Sequence, residues 1–296
     1  MNIKHVLIVI VFLLVESTDC MIELETPANQ LFRGAQEGKL GLVKSALDAR
    51  VDVNVTRKDR VEIDVSYEGF TPLMHAAEYG QDEIVKYLLK AKAHINQRNE
   101  YGDTALRIAA GSRVIGTSEV VQILLNAKAN PNLVESWTGT TALSATRNIE
   151  MIQLLLQFKA DPNIRHKDSS TFLMDLFEED SCKENLVDIL LKVGADVNLQ
   201  DSTGMNVLMR AMCRSYCNKK TIIKFLKAGI NLLQVDMWKN NVLSYMKRYK
   251  ITDQFIKTLI ERLIVQQKRQ VKGEISKHLL PDLANIVFEY LINLDI

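Results

Sequence analysis

Between residues 68 and 96 the sequence EGFTPLMHAAEYGQDEIVKYLLKAKAHIN sets two short apolar stripes between polar turns. Leu73, Ala76 and Ala77 recur at i, i+3 and i+4, one face of a short helix. Ile84, Val85, Leu88 and Leu89 recur at i, i+1, i+4 and i+5, the stripe of a second helix. Thr71 stands where an N-cap belongs, and Pro72 at the first helical position, where its missing N–H costs nothing. Gly69 fits the positive φ of a tight turn before the first helix, and Gly80 ends that helix. Helices of about ten residues with one apolar face are marginal alone in water, so such a unit has to stack on copies of itself.

Copies are present. Aligning the leucine of each first helix gives Leu31, Leu73, Leu106, Leu143, Leu173, Leu208 and Leu243, spaced by 42, 33, 37, 30, 35 and 35 residues. A second register agrees with the first: the loops after the second helices end in Asn54, Asn96, Asn132, Asn163 and Asn198. The run TPLMHAA, then Gly80, IVKYLL and a loop ending in asparagine, resembles the ankyrin repeat, a unit of about 33 residues with the signature T-P-L-H-x-A. The resemblance implies an all-α solenoid of stacked helix-turn-helix units with β-turn or hairpin tips. It implies about seven units over residues 29–265, with atypical first and last copies and a helical C-terminal cap over residues 266–296. His75 falls on the family's histidine and is expected to be a neutral, buried residue that bonds a neighbouring loop, not a catalytic one or a metal ligand.

Departures from the period show where the array is decorated. Residues 55–66 alternate Val and Ile with charged residues and predict a longer β finger. Residues 111–118 lengthen the turn between the helices of the third unit, and Glu178, Glu179 and Asp180 make an acidic link in the fifth. From the fourth unit on, TPL becomes TAL, TFL, NVL and NVL, and Lys239 replaces the turn glycine of the last copy, so that end is expected to fray first. The second helix of the last copy is read over residues 255–265, followed by a polar run. Pro281 then starts an apolar helix; Leu280, Pro281, Leu283, Ile286, Tyr290 and Leu291 weakly resemble the F-box-like ending found after ankyrin arrays in poxvirus proteins and some intracellular bacteria. That likeness implies contact with a ubiquitin-ligase adaptor, and the alternative is a cap that closes the last repeat.

Residues 1–20 are a separate object. Lys4, an unbroken apolar run over residues 6–15 and a short polar stretch to Cys20 have the build of a secretory signal peptide, too short to span a bilayer. A short acidic lead-in over residues 21–28, with Pro27, follows. Secretion is expected, with an uncleaved N-terminal anchor as the alternative and membrane contact only in that case; Asp19 argues against a lipid anchor at Cys20. Cys182, Cys213 and Cys217 then remain, an odd number that reads as free thiols and suits a reducing final compartment. Resemblance to exported ankyrin effectors implies delivery into a host-cell cytoplasm.

Net charge is +1, from 37 basic and 36 acidic residues, so no bulk field draws the chain to nucleic acid or to a membrane surface, and any electrostatic partner has to be read locally. The sequence holds no phosphate loop, G-x-S-x-G elbow, H-E-x-x-H or C-x-x-C, and no enzyme, cofactor or metal is expected. What the resemblance implies is a surface for a protein partner, its concave face formed by first helices and turn tips. Carried over by the turn glycines, the tips are Tyr67, Glu68 and Phe70; Glu100, Tyr101 and Asp103; Trp137 and Thr138; Lys167 and Asp168; Ser202, Thr203 and Met205; Met237 and Trp238. Both tryptophans fall on tips, and with Tyr67 and Tyr101 they are the expected anchors. The alternative is that each ring packs on its neighbouring tip.

Overall fold

The computed structural model describes residues 26–57, 68–177, 184–213, 218–250 and 253–271. The signal-like segment, Tyr67, most of the 55–66 insertion, the acidic link at 178–180, Cys20, Cys182, Cys217 and the tail with Leu280, Pro281 and Leu283 lie outside the described residues. Among the described residues there are fourteen helices and no strand. They are α1 (Pro27–Glu37), α2 (Leu40–Asp48), α3 (Pro72–Glu78), α4 (Asp82–Lys90), α5 (Ala105–Gly111), α6 (Thr117–Asn126) and α7 (Ala142–Ala145). The others are α8 (Ile149–Gln157), α9 (Phe172–Asp175), α10 (Glu184–Lys192), α11 (Val207–Met212), α12 (Lys219–Lys227), α13 (Val242–Arg248) and α14 (Gln254–Val271).

The helices stack in two layers. In the first, α1 packs on α3, α3 on α5, α5 on α7, and later α9 on α11 and α11 on α13. In the second, α2 packs on α4, α4 on α6, α6 on α8, and α10 on α12. The aligned leucines run between the layers: Leu31, Leu73, Leu106, Leu143, Leu173 and Leu208 are each no more than 2% exposed. Burying each of them contributes about 2 kcal/mol. Leu243, on the last copy, is half-buried.

Helix starts follow one rule through changing residues. Thr71 Oγ1 accepts from Met74 N at 3.2 Å, Thr104 from Arg107 N at 3.3 Å and Thr141 from Ser144 N at 3.4 Å. In the NVL units Asn206 and Asn241 do the same work, accepting from Met209 N at 3.0 Å and Ser244 N at 3.1 Å. The loss of TPL therefore keeps the cap there. The fourth unit loses length and the fifth loses both length and cap, since α7 and α9 have four residues each and the Thr171 side chain makes no cap hydrogen bond.

The loop asparagines tie each unit to the next. The Oδ1 of Asn54, Asn96, Asn132, Asn163 and Asn198 accepts from the backbone N–H of His94, Asn130, Asp161, Asp196 and Asn231, at 2.6 to 2.9 Å. Asn132, Asn163 and Asn198 also donate through Nδ2 to the carbonyls of Lys159, Gly194 and Gly229. The series ends with Gln267, whose Oε1 accepts from Leu232 N at 2.9 Å and whose Nε2 donates to Ile230 O at 3.0 Å. This residue is available because α14 runs through to Val271 instead of ending at 265.

Candidate functional site: a row of turn tips

Each tip is a tight turn closed by a left-handed residue: Gly69, Gly102, Gly139, Ser169, Gly204 and Lys239, with φ between 63° and 81°. Lys239 thus adopts the turn of the glycine it replaces. At Gly139 glycine is needed twice over, because φ is 78° and an added Cβ would lie 2.9 Å from Lys167 N of the next tip.

A buried acceptor holds four of the six turns from inside. Asn99 Oδ1 accepts from Tyr101 N and Asp103 N at 3.0 and 2.7 Å, and Asp201 Oδ1 from Thr203 N and Met205 N at 2.8 and 3.0 Å. Asp236 Oδ1 accepts from Trp238 N and Asn240 N at 2.9 and 2.7 Å. In the third of these tips Glu135 takes three backbone N–H groups, those of Trp137, Thr138 and Thr140. Burial pushes the Glu135 carboxyl up, but the Thr138 hydroxyl and these N–H bonds outweigh it and hold the group at about 2. Asp236 is likewise pushed up by burial and brought below the usual range by Tyr245, Asn240 and the backbone. Glu135 and Asp236 therefore stay charged at neutral pH.

Successive tips are stitched together. Ser136 N donates to Tyr101 O at 2.7 Å, Lys167 N to Thr138 O at 2.8 Å, Ser202 N to Asp168 O at 2.7 Å and Met237 N to Thr203 O at 2.8 Å. Glu100 N reaches Glu68 O at 3.5 Å. Side chains add a second set of bridges. Arg98 donates to Gly102 O in its own tip and Val134 O in the next; Arg165 does so to Ser169 O and Gln200 O, and Gln200 to Gly204 O and Val235 O. At the root of the 55–66 insertion Arg57 N donates to Phe70 O at 2.9 Å and Gly69 N to Arg57 O at 3.1 Å, a hairpin-like closure.

The tip residues read from the sequence divide by position. Those ahead of the left-handed residue point out: Glu100, Trp137, Thr138, Lys167, Asp168, Ser202, Met237 and Trp238 are exposed, and Glu68, Tyr101 and Thr203 half-buried. Those after it lean inward, which corrects the surface placing of Phe70. Phe70 is 6% exposed with its ring 5.2 Å from that of His75. Asp103 pairs with Arg107, and burial raises its carboxyl despite that cation. Met205 is half-buried against the core. The physical reason is that the left-handed residue reverses the chain, so its successor leads down into the helix cap. Asp168, though exposed, is bound to Arg210 Nη2 at 3.2 Å, while Arg210 Nε bonds Asp201 at 2.7 Å.

The two tryptophans stand out. Trp137 is 71% and Trp238 61% exposed, and Met237 beside the latter is 65% exposed. Tyr101 lies 6.5 Å from Trp137, ring to ring and tilted by 39°, a contact that leaves most of the indole in solvent. Below the tips the first helices form an open groove of about 560 Å³, lined by Glu78, Tyr79, Arg107, Ile108, Ser112 and Arg113 among others. At its edge Ile115 is 96% and Val114 43% exposed, in the lengthened turn of the third unit. The bridging residues Arg98, Arg165 and Gln200 were not singled out in the sequence; their one shared signal is a long polar side chain just before the buried acceptor.

One cluster has the composition of a catalytic triad. His166 Nδ1 lies 3.3 Å from Ser170 Oγ and 3.2 Å from Asp175 Oδ2, and Ser170 Oγ donates to Asp175 Oδ1 at 3.2 Å. Serine and aspartate meet the same ring nitrogen, so the imidazole does not stand between them as a general base requires. Ser170 is 3% exposed, and the cluster braces the fourth tip. His75 is 1% exposed between the rings of Phe32 and Phe70, and burial first, with the Arg57 charge second, lowers it to about 4, a neutral ring. Among the described residues no group of three or more His, Cys, Asp or Glu could hold a metal ion.

Comparison with known proteins agrees with this architecture. A family model of ankyrin repeats in three copies matches residues 31–135 and again 139–246, so the chain belongs to the ankyrin-repeat family. Ankyrin repeats are protein–protein interaction modules, and the fold is typically a non-enzymatic scaffold. Over 111 residues the chain is 32% identical to a transient receptor potential cation channel subfamily A member 1 homolog of Caenorhabditis elegans, covering 37% of this chain and 8% of that one. It is also similar, at 27% identity and a TM-score of 0.53, to a chain in the structure of the predatory endopeptidase Bd0816 from Bdellovibrio bacteriovorus in complex with immunity protein Bd3460. That match covers 62% of this chain and 90% of the other.

Proposed function

We propose that this chain binds a protein partner along its tip row and adjoining concave face, has no catalysis of its own, and uses Trp137 and Trp238 as anchors. The observation that carries this is two indoles held 71% and 61% in solvent on turns whose backbones are locked by buried carboxylates and by neighbouring tips. Such rings lose little conformational entropy on docking, the property of interface hot spots. The similar structure containing an endopeptidase and its immunity protein is itself a protein complex, which fits this reading.

The reading extends to an exported, effector-like protein on the strength of Lys4, the apolar run 6–15 and the polar stretch to Cys20. N-terminal sequencing of protein recovered outside the producing cell tests export; a mature chain still beginning at Met1 refutes cleavage. A second reading adds Leu280, Pro281 and Leu283 as a hook for a ubiquitin-ligase adaptor, favoured by the leucine-proline start of an apolar segment.

The binding test captures partners from a host-cell lysate and measures affinity for each one recovered. Trp137→Ala with Trp238→Ala is expected to weaken a tip-bound partner by at least about 2 kcal/mol, roughly thirtyfold, with no change in the unfolding midpoint. Unchanged affinity refutes the tip row. Changing Leu280, Pro281 and Leu283 to Ala separates the second reading: a hook loses ligase components and stays folded, whereas a cap loses stability.

A further inference from the structure

The C-terminal end of the stack carries a cationic face that the tip row does not use. Residues 218–271 hold twelve Lys and Arg against three Asp and Glu, in a chain whose total charge is +1. Asp236 is buried inside its tip, Asp253 lies 3.9 Å from Lys219, and Glu184 and Asp188 of α10 offset Lys224, so within residues 218–271 Glu261 is the one acid on the exposed side of α14. Along α14, Ile256, Leu259, Ile260 and Ile264 are buried, while Lys257, Arg262, Lys268 and Arg269 are exposed with Glu261 and Val265. At 3.6 residues per turn those exposed positions fall on one side of the helix. Its neighbour α12 starts beside it through Lys219 and Asp253, and ends beside it where Gln267 bonds the loop at Ile230 and Leu232. The exposed Lys220 and Lys227 of α12 widen the same face.

We infer that this face docks on an anionic lipid bilayer. Eight of the twelve charges lie along two neighbouring helices of the second layer, α12 and α14, a spread that matches a planar sheet of headgroups. None of the exposed residues described on α12 and α14 is aromatic, so these helices lack the stacking platform of a single-strand nucleic-acid site. Val265, 51% exposed among Arg262, Lys268 and Arg269, is placed to enter the headgroup layer while the long basic stems reach lipid phosphates and carboxylates. Contact of this kind is peripheral, and no described helix is long and apolar enough to cross a membrane. The attraction acts within a Debye length of about 8 Å at physiological salt, so binding falls steeply as salt rises.

The test sediments the full-length chain with phosphatidylcholine vesicles, with and without phosphatidylserine. Lys4 and the apolar run at residues 6–15 are the same in every variant, so the change in the serine-lipid-dependent increment between variants reports the face. That increment is expected to fall at least about tenfold when Lys257, Arg262, Lys268 and Arg269 are all changed to Gln. A smaller fall is expected for Lys220→Gln with Lys227→Gln, which leaves α14 intact, and none for Lys90→Gln with Lys92→Gln near the other end of the stack. No increment with phosphatidylserine, or an increment that survives the fourfold change, overturns the inference. Tighter binding to a duplex RNA of matched charge, competing with vesicles, assigns the face to nucleic acid instead.

Discussion

Replacing Asn163 by Ala removes the side-chain bridge between the fourth and fifth units. Asn163 Oδ1 accepts from Asp196 N at 2.7 Å, and its Nδ2 donates to Gly194 O at 3.1 Å. Its own N–H keeps the bond to Asp161 Oδ1 at 2.8 Å, so the local turn survives the change. Both abandoned backbone groups lie where water takes over, so each bond counts at its net value of about 1 kcal/mol, and the substitution costs about 2 kcal/mol. Asn96→Ala supplies the internal standard. Asn96 makes one described bridge, from Asn130 N at 2.9 Å, and its loss costs about half as much. Because each unit touches only its neighbours, weakening the central junction also splits the transition, the two ends unfolding at different denaturant concentrations. Urea unfolding followed by circular dichroism measures both effects, and amide exchange tells which end opens first. The reasoning is refuted if Asn163→Ala shifts stability by less than about 0.5 kcal/mol, or if Asn96→Ala costs as much.

Three further outcomes are expected. His75 has its pKa lowered to about 4 by burial, so the unfolded chain takes up a proton near 6.5 that the folded chain refuses; stability is full above that range and declines by ~3 kcal/mol as pH falls through it. Thermal unfolding between pH 7 and pH 4 checks this, and His75→Gln flattens the profile. Gly139→Ala forces a side chain into φ of 78° and against Lys167 N, costing about 2 kcal/mol in urea, whereas Ser169→Gly relieves the same conformation in the next tip and gains less than about 1 kcal/mol. Amides of the four-residue helices α7 and α9 exchange faster than those of α3 and α5; equal protection across the first layer contradicts fraying from the fourth unit on.

The fold was legible because the leucine register and the asparagine register are both set by local periodicity. A leucine between two layers and an asparagine at a loop end recur whatever the intervening residues do. The direction of a side chain at a turn is not periodic. Phe70, Asp103 and Met205 sit one residue past a left-handed position, and that reversal, invisible in composition, turns them inward. Trp137 and Trp238, ahead of the reversal, were placed by the same alignment and are exposed. The bridges of Arg98, Arg165 and Gln200 depend on where the next tip lies in space, which only stacking defines. The length of α14 has another cause: a polar run follows 265, yet glutamine, lysine and arginine are good helix formers, and no glycine or proline appears before Gly273.

The tip-to-tip hydrogen bonds are indifferent to how much chain separates them. From Gly102 to Gly139 is 37 residues, from Gly139 to Ser169 only 30, and from Ser169 to Gly204 and on to Lys239 35 each, yet the N···O distances across these junctions are all 2.7 to 2.8 Å. Surplus and deficit are taken up at the opposite edge, where one helix turns into the next. Across these junctions insertions and deletions can accumulate without altering the spacing of the side chains offered to a partner. The array therefore works as a ruler whose graduations are protected from its own genetic drift in length.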